Sequence, residues 1–252
     1  FIAIGSYSGA ILGKMMNGLP GLFAGMAVGV VLSVIVAFLV GLPTLRLKGD
    51  YLAIATLGVA EIIRVAVTNM KLTNGAAGIS GVPLTNTWTI TYIALVLTTI
   101  LILNYTFSSA GRATYAVLQD EIAAESMGVQ VTKYKILAFV LGAATASIGG
   151  TLSATTLGAV TPSDFTFMKS IDVLIIVVFG GIGSFTGSFV AAVLLGIINL
   201  VLQPFGQLRM IIYAVALILI MIFRPGGLLG TWEFKLGDFK FSKKKETKES
   251  GK

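Results

Sequence analysis

The sequence predicts an all-α fold, a polytopic bundle of transmembrane helices. Hydrophobic residues make up 56% of the 252 residues and charged residues only 12%, whereas soluble domains carry about 25% charged residues. Apolar runs recur along the chain, and a helix needs roughly 17–25 apolar residues to cross a bilayer. We therefore expect about eight hydrophobic segments in a transmembrane domain, residues 1–223, followed by a basic tail, residues 224–252.

The positions of these segments follow from hydropathy, and polar stretches supply the loops between them. The first run is already apolar at Phe1 and no basic region precedes it, so we expect a natural N-terminus further upstream rather than a signal peptide. The predicted segments are residues 1–13, 21–42, 51–68, 88–107, 136–157, 171–183, 186–202 and 208–223.

Lysine and arginine residues predict the orientation of the chain. Two lie in the hinge at 43–50, three in the central polar loop at 108–135 and eight in the tail, whereas the loops on the opposite side contain four. Positive residues favour the cytoplasmic side, so we expect the central loop and the tail in the cytoplasm. The net charge of +7 then reflects membrane orientation, and the expected partner is membrane lipid, not nucleic acid.

The central polar loop contains an alanine-rich stretch that ends at a glycine. Good helix formers continue up to Met127 and Gly128 follows, which predicts a short helix that ends at the glycine. A helix that docks on a partner and an ordinary solvated helix are both compatible with this composition.

An inverted repeat is also predicted. The nine residues from Asp50 to Gly58 match those from Asp172 to Gly180 at four positions with identical spacing. The first copy would run outward and the second inward, each Asp being at an N-cap position. Repeats of this kind are common in transporters, where the substrate path lies between the two halves.

Two charges lie within a predicted span. Glu61 follows Asp50 by eleven residues, about 16 Å along a helix, so it lies near mid-membrane, where a lone charge is costly. Arg64 is three residues further on, on the same helix face, and can neutralise it. The pair either holds helices in register or lines a translocation path. Both interpretations place this face inside the bundle, away from lipid.

Intrinsic catalysis is not expected. The chain has no cysteine and no histidine, so the usual metal ligands and acid–base groups are missing, and we expect no catalytic residue, metal or cofactor in it. The glycine-rich run Gly180–Gly187 lacks the Gly-Lys-Ser/Thr ending of a phosphate-binding loop. Close helix packing or a helix break is its expected role.

The central loop carries a resemblance to a known family. The run from Gly111-Arg112 through Asp120-Glu121-Ile-Ala-Ala-Glu125-Ser-Met-Gly128 resembles the cytoplasmic coupling segment of branched-chain amino acid ABC transporter permeases of the LivM type. The wider importer motif Glu-Ala-Ala-x-x-x-Gly is shifted, with Ile122 where Glu is expected. Further similar stretches, in order along nearly the whole chain, are 47–58, 61–64, 72–83, 165–167, 180–184 and 223–230.

The resemblance implies a permease subunit of an ATP-driven importer of leucine, isoleucine and valine, located in a bacterial or archaeal plasma (inner) membrane. Its partners would be a second, LivH-like permease, two cytoplasmic ATPase subunits that hold ATP and magnesium, and an extracytoplasmic substrate-binding protein. The residues expected to couple to the ATPases are Arg112, Asp120, Glu121, Ala123, Ala124, Glu125 and Gly128. Those expected along the translocation path are Asp50, Thr56, Glu61, Arg64 and Asp172.

Other classes of function remain open at the level of sequence. Permeases of related importers for urea or other amides share these motifs. An ion-coupled secondary transporter would use Glu61 as its intramembrane carboxylate. A channel or a structural membrane subunit would need no coupling helix at all.

Overall fold

The structure, a computed structural model, describes residues 1–47, 49–181, 183–202, 215 and 218. It divides into two units, residues 1–169 and 170–252. The basic tail at 224–252 lies outside the described residues, as does the predicted segment at 208–223 apart from positions 215 and 218.

The described residues are almost entirely helical, which confirms the all-α prediction. Two two-residue strands pair antiparallel, with Ile79 opposite Val160 and Ser80 opposite Ala159. In chain order the elements are α1 (Ile2–Met16), α2 (Leu19–Thr44), α3 (Asp50–Asn69), a 3₁₀ turn (Gly75–Ala77), β1 (Ile79–Ser80), α4 (Trp88–Phe107), α5 (Ser109–Gln119), α6 (Glu121–Ser126), α7 (Val131–Leu157), β2 (Ala159–Val160), a 3₁₀ turn (Pro162–Phe165), α8 (Phe167–Gly180) and α9 (Phe185–Leu202).

Five of the described helices are long and apolar enough to cross a membrane: α2, α3, α4, α7 and α9. This confirms the multi-spanning fold. Helices α1 and α8 form at predicted segments but have only 15 and 14 residues, fewer than a full span. Helix α4 matches its predicted range at both ends, whereas α7 begins five residues early, at Val131. The reason is that hydropathy marks only the membrane-embedded part of a helix, and α7 continues beyond it.

The predicted N-cap positions of the repeat are wrong. Helix α3 begins at Asp50 itself, its N-cap is Gly49 at φ +60°, and no side chain caps it. Asp172 lies inside α8, because that helix already begins at Phe167. An aspartate near the start of an apolar run is therefore an imprecise marker of a helix N-terminus here.

The first unit is built on close contacts among α1, α2 and α7. A Cβ atom added to Gly25 would lie 2.7 Å from the Gly9 Cα atom, and one added to Gly5 would lie 2.0 Å from the Ser147 carbonyl oxygen. Small residues thus let the three backbones approach, which is how helices associate where lipid removes the hydrophobic driving force. The contacts make α1 antiparallel to α2 and parallel to α7.

Hydrogen bonds reinforce the contact between α1 and α7. The Thr151 hydroxyl donates to the Gly5 carbonyl at 2.9 Å, and the Ser6 hydroxyl donates to the Gly150 carbonyl at 2.9 Å. In contrast, the buried Ser33 and Ser147 hydroxyls have no hydrogen-bond partner among the described residues. A Cβ atom on Gly29 would lie 2.9 Å from the Ser147 hydroxyl. The contact between α2 and α7 therefore requires a small residue at Ser147.

The two ends of the first unit differ. At the strand end, β1 and β2 pair beside an apolar cluster that includes Tyr7, Ile79 and Val160. The Lys14 ammonium at the end of α1 donates to the Ser80 carbonyl there at 3.0 Å. The opposite end, the α5–α6 end, carries α5, α6 and the hinge between α2 and α3. Helix α7 runs from the α5–α6 end to the strand end.

In the second unit the glycine-rich run forms a tight turn between α8 and α9. A Cβ atom on Gly180 would lie 2.5 Å from the Gly187 carbonyl carbon, and Gly181 and Gly183 have φ of +114° and +97°. These glycines allow a close approach, as predicted. Phe179, Ala191 and Leu195 form the buried apolar cluster beside the turn.

Replacing Gly25 by Ala is expected to destabilise the protein by about 1–3 kcal/mol, because the new methyl group overpacks a backbone contact. The measurement is the temperature midpoint for loss of the monodisperse peak of the detergent-solubilised full-length protein. Gly142→Ala is the matched control on α7, where an added Cβ atom meets no neighbour within 4 Å. Equal midpoints for the two variants would contradict the small-residue contact.

Candidate functional site

The central polar loop forms two short helices, not the single helix predicted. Helix α5 ends at Gln119, and Asp120 is extended, with φ −155° and ψ 113°. Its carboxylate accepts hydrogen bonds from the backbone N–H groups of Ile122 at 2.9 Å and Ala123 at 3.1 Å. Asp120 is thus the N-cap of α6, a role that aspartate favours strongly. An aspartate at this position was therefore the sequence signal that the helix ends and a second one begins.

The predicted helix end at Gly128 is confirmed. Gly128 has φ +82°, a conformation that glycine adopts without steric cost. The Gly128 N–H donates to the Glu125 carbonyl at 2.9 Å, and the Val129 N–H donates to the Ala124 carbonyl at 3.0 Å. These two bonds form a Schellman motif, which satisfies the last carbonyls of α6.

Helix α6 is fixed to the start of α7. Lys135 of α7 forms an ion pair with Glu121 of α6, and Ala124 is only 5% exposed. On the other side, α5 is fixed to α4, because a Cβ atom on Gly111 would lie 2.2 Å from the Tyr105 carbonyl oxygen. The helix pair therefore has a defined position on the end of the first unit.

The same helix pair exposes four large apolar side chains. Their exposed fractions run from 59% to 85%, in a loop that we expect to lie outside the bilayer. Large apolar side chains exposed away from lipid are the kind that a protein partner covers. We call this group the α5–α6 apolar surface; its members are Tyr115, Leu118, Ile122 and Met127.

The predicted coupling residues occupy different positions around this surface. Ala124 is buried against its own chain, and the Glu121 side chain is 41% exposed and paired with Lys135. The exposed ones are Arg112, Asp120, Ala123, Glu125 and Gly128. The sequence analysis did not single out the four apolar residues of this surface, because apolar residues are common throughout the chain and do not stand out by composition. Their location inside an otherwise polar loop was the signal that could have identified them.

Glu61 and Arg64 form the predicted ion pair on α3. The Arg64 Nε atom lies 3.0 and 2.9 Å from the two carboxylate oxygens of Glu61. The described residues do not enclose their face: the Glu61 side chain is 51% exposed and the Arg64 side chain 32%. Helix α3 has no buried residue. Its face is therefore open among the residues that the structure describes.

Within the first unit, Asp50 and Thr56 are not gathered into one site with this pair. Asp50 is exposed at the start of α3, eleven residues before Glu61. The Thr56 hydroxyl donates within its own helix, to the Leu52 carbonyl at 3.0 Å and the Ala53 carbonyl at 2.9 Å. Asp172 is exposed in the second unit. The predicted path stays a prediction, as does the assignment of the coupling residues.

No group of three or more potential metal ligands occurs among the residues that the structure describes.

The described helices define the class of multi-spanning helical membrane proteins. The chain belongs to the family described as "Branched-chain amino acid transport system / permease component", whose model matches residues 1–223. No solved structure matches the chain at a significant level.

Several curated proteins are similar to this chain. The high-affinity branched-chain amino acid transport system permease protein LivM of Salmonella typhimurium is 36% identical over 91% of this chain and 62% of its own length. The LivH permease protein of Escherichia coli K12 is 30% identical over 57% of this chain and 46% of its own. A protein of Methanocaldococcus jannaschii, named a probable LivM permease, is 26% identical over 91% of this chain and 75% of its own. The chain thus spans about three fifths of the length of the LivM relative from Salmonella.

Replacing Asp120 by Ala is expected to cost about 1 kcal/mol of local stability in α6, because the cap is lost. Amide hydrogen exchange over residues 121–127 should then be about fivefold faster than in the wild type. Asp120→Asn keeps an oxygen that can accept the same hydrogen bonds, and we expect it to exchange like the wild type. Unchanged exchange in Asp120→Ala would contradict the capping role.

Proposed function

We propose that this chain is the permease subunit of an ATP-driven importer that carries leucine, isoleucine and valine across the plasma membrane. Membership of the family and the similarity to permeases named LivM and LivH support the transport class and the substrate. The observation that carries the mechanism is the α5–α6 apolar surface, which is exposed at one end of α7 and held there by fixed contacts.

This surface is the proposed docking site for the ATPase subunits. Short helices with large exposed apolar side chains fit an apolar groove on a protein partner. The ATPases would hold ATP and magnesium, and closure of the ATPases would displace α6. Because Glu121 pairs with Lys135 and Ala124 is buried, a displacement of α6 passes to α7. Helix α7 in turn contacts α1 and α2 along its length.

The orientation follows from this assignment. The α5–α6 end would face the cytoplasm, in agreement with the lysine and arginine bias of the sequence. The strand end, with the paired strands and the two 3₁₀ turns, would then face outward. An extracytoplasmic binding protein would deliver the amino acid at that end.

A second permease, LivH-like, is the proposed cover for α3. Charged side chains are unfavourable against lipid even when they are paired, yet α3 leaves Glu61 and Arg64 exposed in this chain. A polar protein surface against α3 removes that cost. The pair would then lie at the interface between the two permeases, which is where a path between two related halves runs.

An ion-coupled secondary transporter is the less favoured candidate. Such a protein needs an intramembrane carboxylate that can take up and release a cation. Glu61 is the carboxylate available for this role in the described spans, and both of its oxygens are held by Arg64. A carboxylate with a permanent cationic partner is poorly suited to repeated loading and release.

The docking role is tested by copurification. We would tag the full-length protein, solubilise native membranes gently and quantify ATPase subunits by mass spectrometry, comparing the wild type with an Ile122→Asp, Met127→Asp double variant. Buried apolar contacts carry much of an interface's binding energy, so we expect at least a tenfold loss of ATPase from the variant.

The matched control is Leu72→Asp, because Leu72 is equally exposed but lies outside the α5–α6 apolar surface, in the loop after α3. This control should retain the ATPases at the wild-type level. Retention of the ATPases by the double variant would refute the docking role, and their absence from wild-type preparations that keep the membrane partners would refute the importer.

A further inference from the structure

The strand end of the first unit contains a small cavity, of about 210 Å³. It lies between α1, the end of α7 and the Pro162–Phe165 turn. Pockets for drug-sized ligands measure about 300–1,000 Å³, and one water in the liquid takes about 30 Å³. The cavity is therefore smaller than a drug-sized pocket and larger than several waters, a size that suits one free amino acid.

One side of this strand-end cavity carries an acidic and a basic group. Asp164 is held in place because one of its carboxylate oxygens accepts hydrogen bonds from the Thr161 N–H at 3.0 Å and the Thr161 hydroxyl at 2.8 Å. No described residue donates a hydrogen bond to the other oxygen. Lys169 also lines the cavity, and its ammonium group forms no ion pair or hydrogen bond with any residue that the structure describes.

The rest of the lining is largely apolar. Ile2, Leu157 and Phe165 contribute the large apolar side chains. Phe165 is supported from behind by the buried ring of Tyr7, whose centroid lies 6.1 Å from its own. The apolar wall is thus braced by the core of the first unit, which favours a site that is formed before any ligand binds.

We propose that the strand-end cavity binds one free amino acid with an apolar side chain. Lys169 meets the carboxylate of the ligand, the free oxygen of Asp164 meets its ammonium group, and Ile2, Leu157 and Phe165 contact its side chain. The proposal rests on the proposed function, which makes such an amino acid the substrate, and it places the first contact of the permease with that substrate at the outward end.

The arrangement also selects among substrate classes. A zwitterion satisfies both charged groups at once, whereas urea and other neutral amides leave a carboxylate and an ammonium group without a counter-charge. Both groups are available to a ligand, because the cap at Thr161 occupies only one carboxylate oxygen of Asp164 and the Lys169 ammonium group has no partner in the described chain.

The test uses photo-leucine, the diazirine analogue of leucine, on the full-length protein assembled with its partners in native-lipid nanodiscs. After irradiation, labelled peptides of this chain are mapped by mass spectrometry. We expect labelling within residues 1–7 or 153–169, competed by leucine. Isoamylamine lacks the carboxylate and isocaproate lacks the ammonium group, so neither should compete at the same concentration.

Two variants remove one charge each. Lys169→Met and Asp164→Asn should each reduce labelling at least tenfold, and Asn keeps an oxygen that can accept the cap at Thr161, so the turn is preserved. Lys71→Met is the matched control, since Lys71 is an exposed lysine in the loop after α3 that does not line the cavity. Labelling of this control should equal the wild type.

Leucine uptake by the wild-type assembly separates this proposal from the function on which it rests. If the wild type imports leucine, then labelling that maps elsewhere, is absent, or is unchanged in both charge variants overturns the cavity and leaves the importer standing. If the wild type does not import leucine, the proposed function fails; labelling inside the cavity with the expected competition would still support an amino acid site.

Discussion

The close approach of α1, α2 and α7 is the constraint on which the rest of the first unit depends. Glycine and serine residues bring these backbones together where bulkier side chains would clash with carbonyl groups and Cα atoms. Lipid offers apolar side chains an environment as favourable as the protein interior, so contact of this kind, together with hydrogen bonds between helices, has to hold the bundle. Thr151 and Ser6 supply such bonds between α1 and α7.

Helix α7 connects the two proposed sites, because the α5–α6 apolar surface lies at one of its ends and the strand-end cavity at the other. At one end Lys135 holds α6 and the α5–α6 apolar surface. At the other end Leu157 lines the strand-end cavity. Between them, the backbone of α7 lies against α1 and α2 through small residues. Under the proposed function, a movement imposed on α6 would therefore reach helices that border the cavity and would link ATPase docking to substrate access.

Hydropathy predicted most of the described fold, since long apolar runs have few alternatives in a membrane. Helix α4 matches its range at both ends, and the helix end at Gly128 was predicted from one glycine. The break at Asp120 was missed because good helix formers on both sides hid a capping residue. The open face of α3 was missed because the sequence does not show whether an ion pair is covered by the same chain or by a different one. The strand-end cavity depends on tertiary contacts between α1 and the turn after β2, which no local pattern shows.

Energised uptake is the measurement that tests the central claim most directly. The full-length assembly would be reconstituted in proteoliposomes with its binding protein, and entry of radiolabelled leucine followed with ATP on the ATPase side, with and without a protonophore. An importer of this family should require ATP, ignore the protonophore, and be inhibited by excess isoleucine or valine but not by urea. Uptake that collapses with the protonophore while ATP is held constant would contradict the ATP-driven mechanism and return Glu61 to consideration as an ion-coupling group.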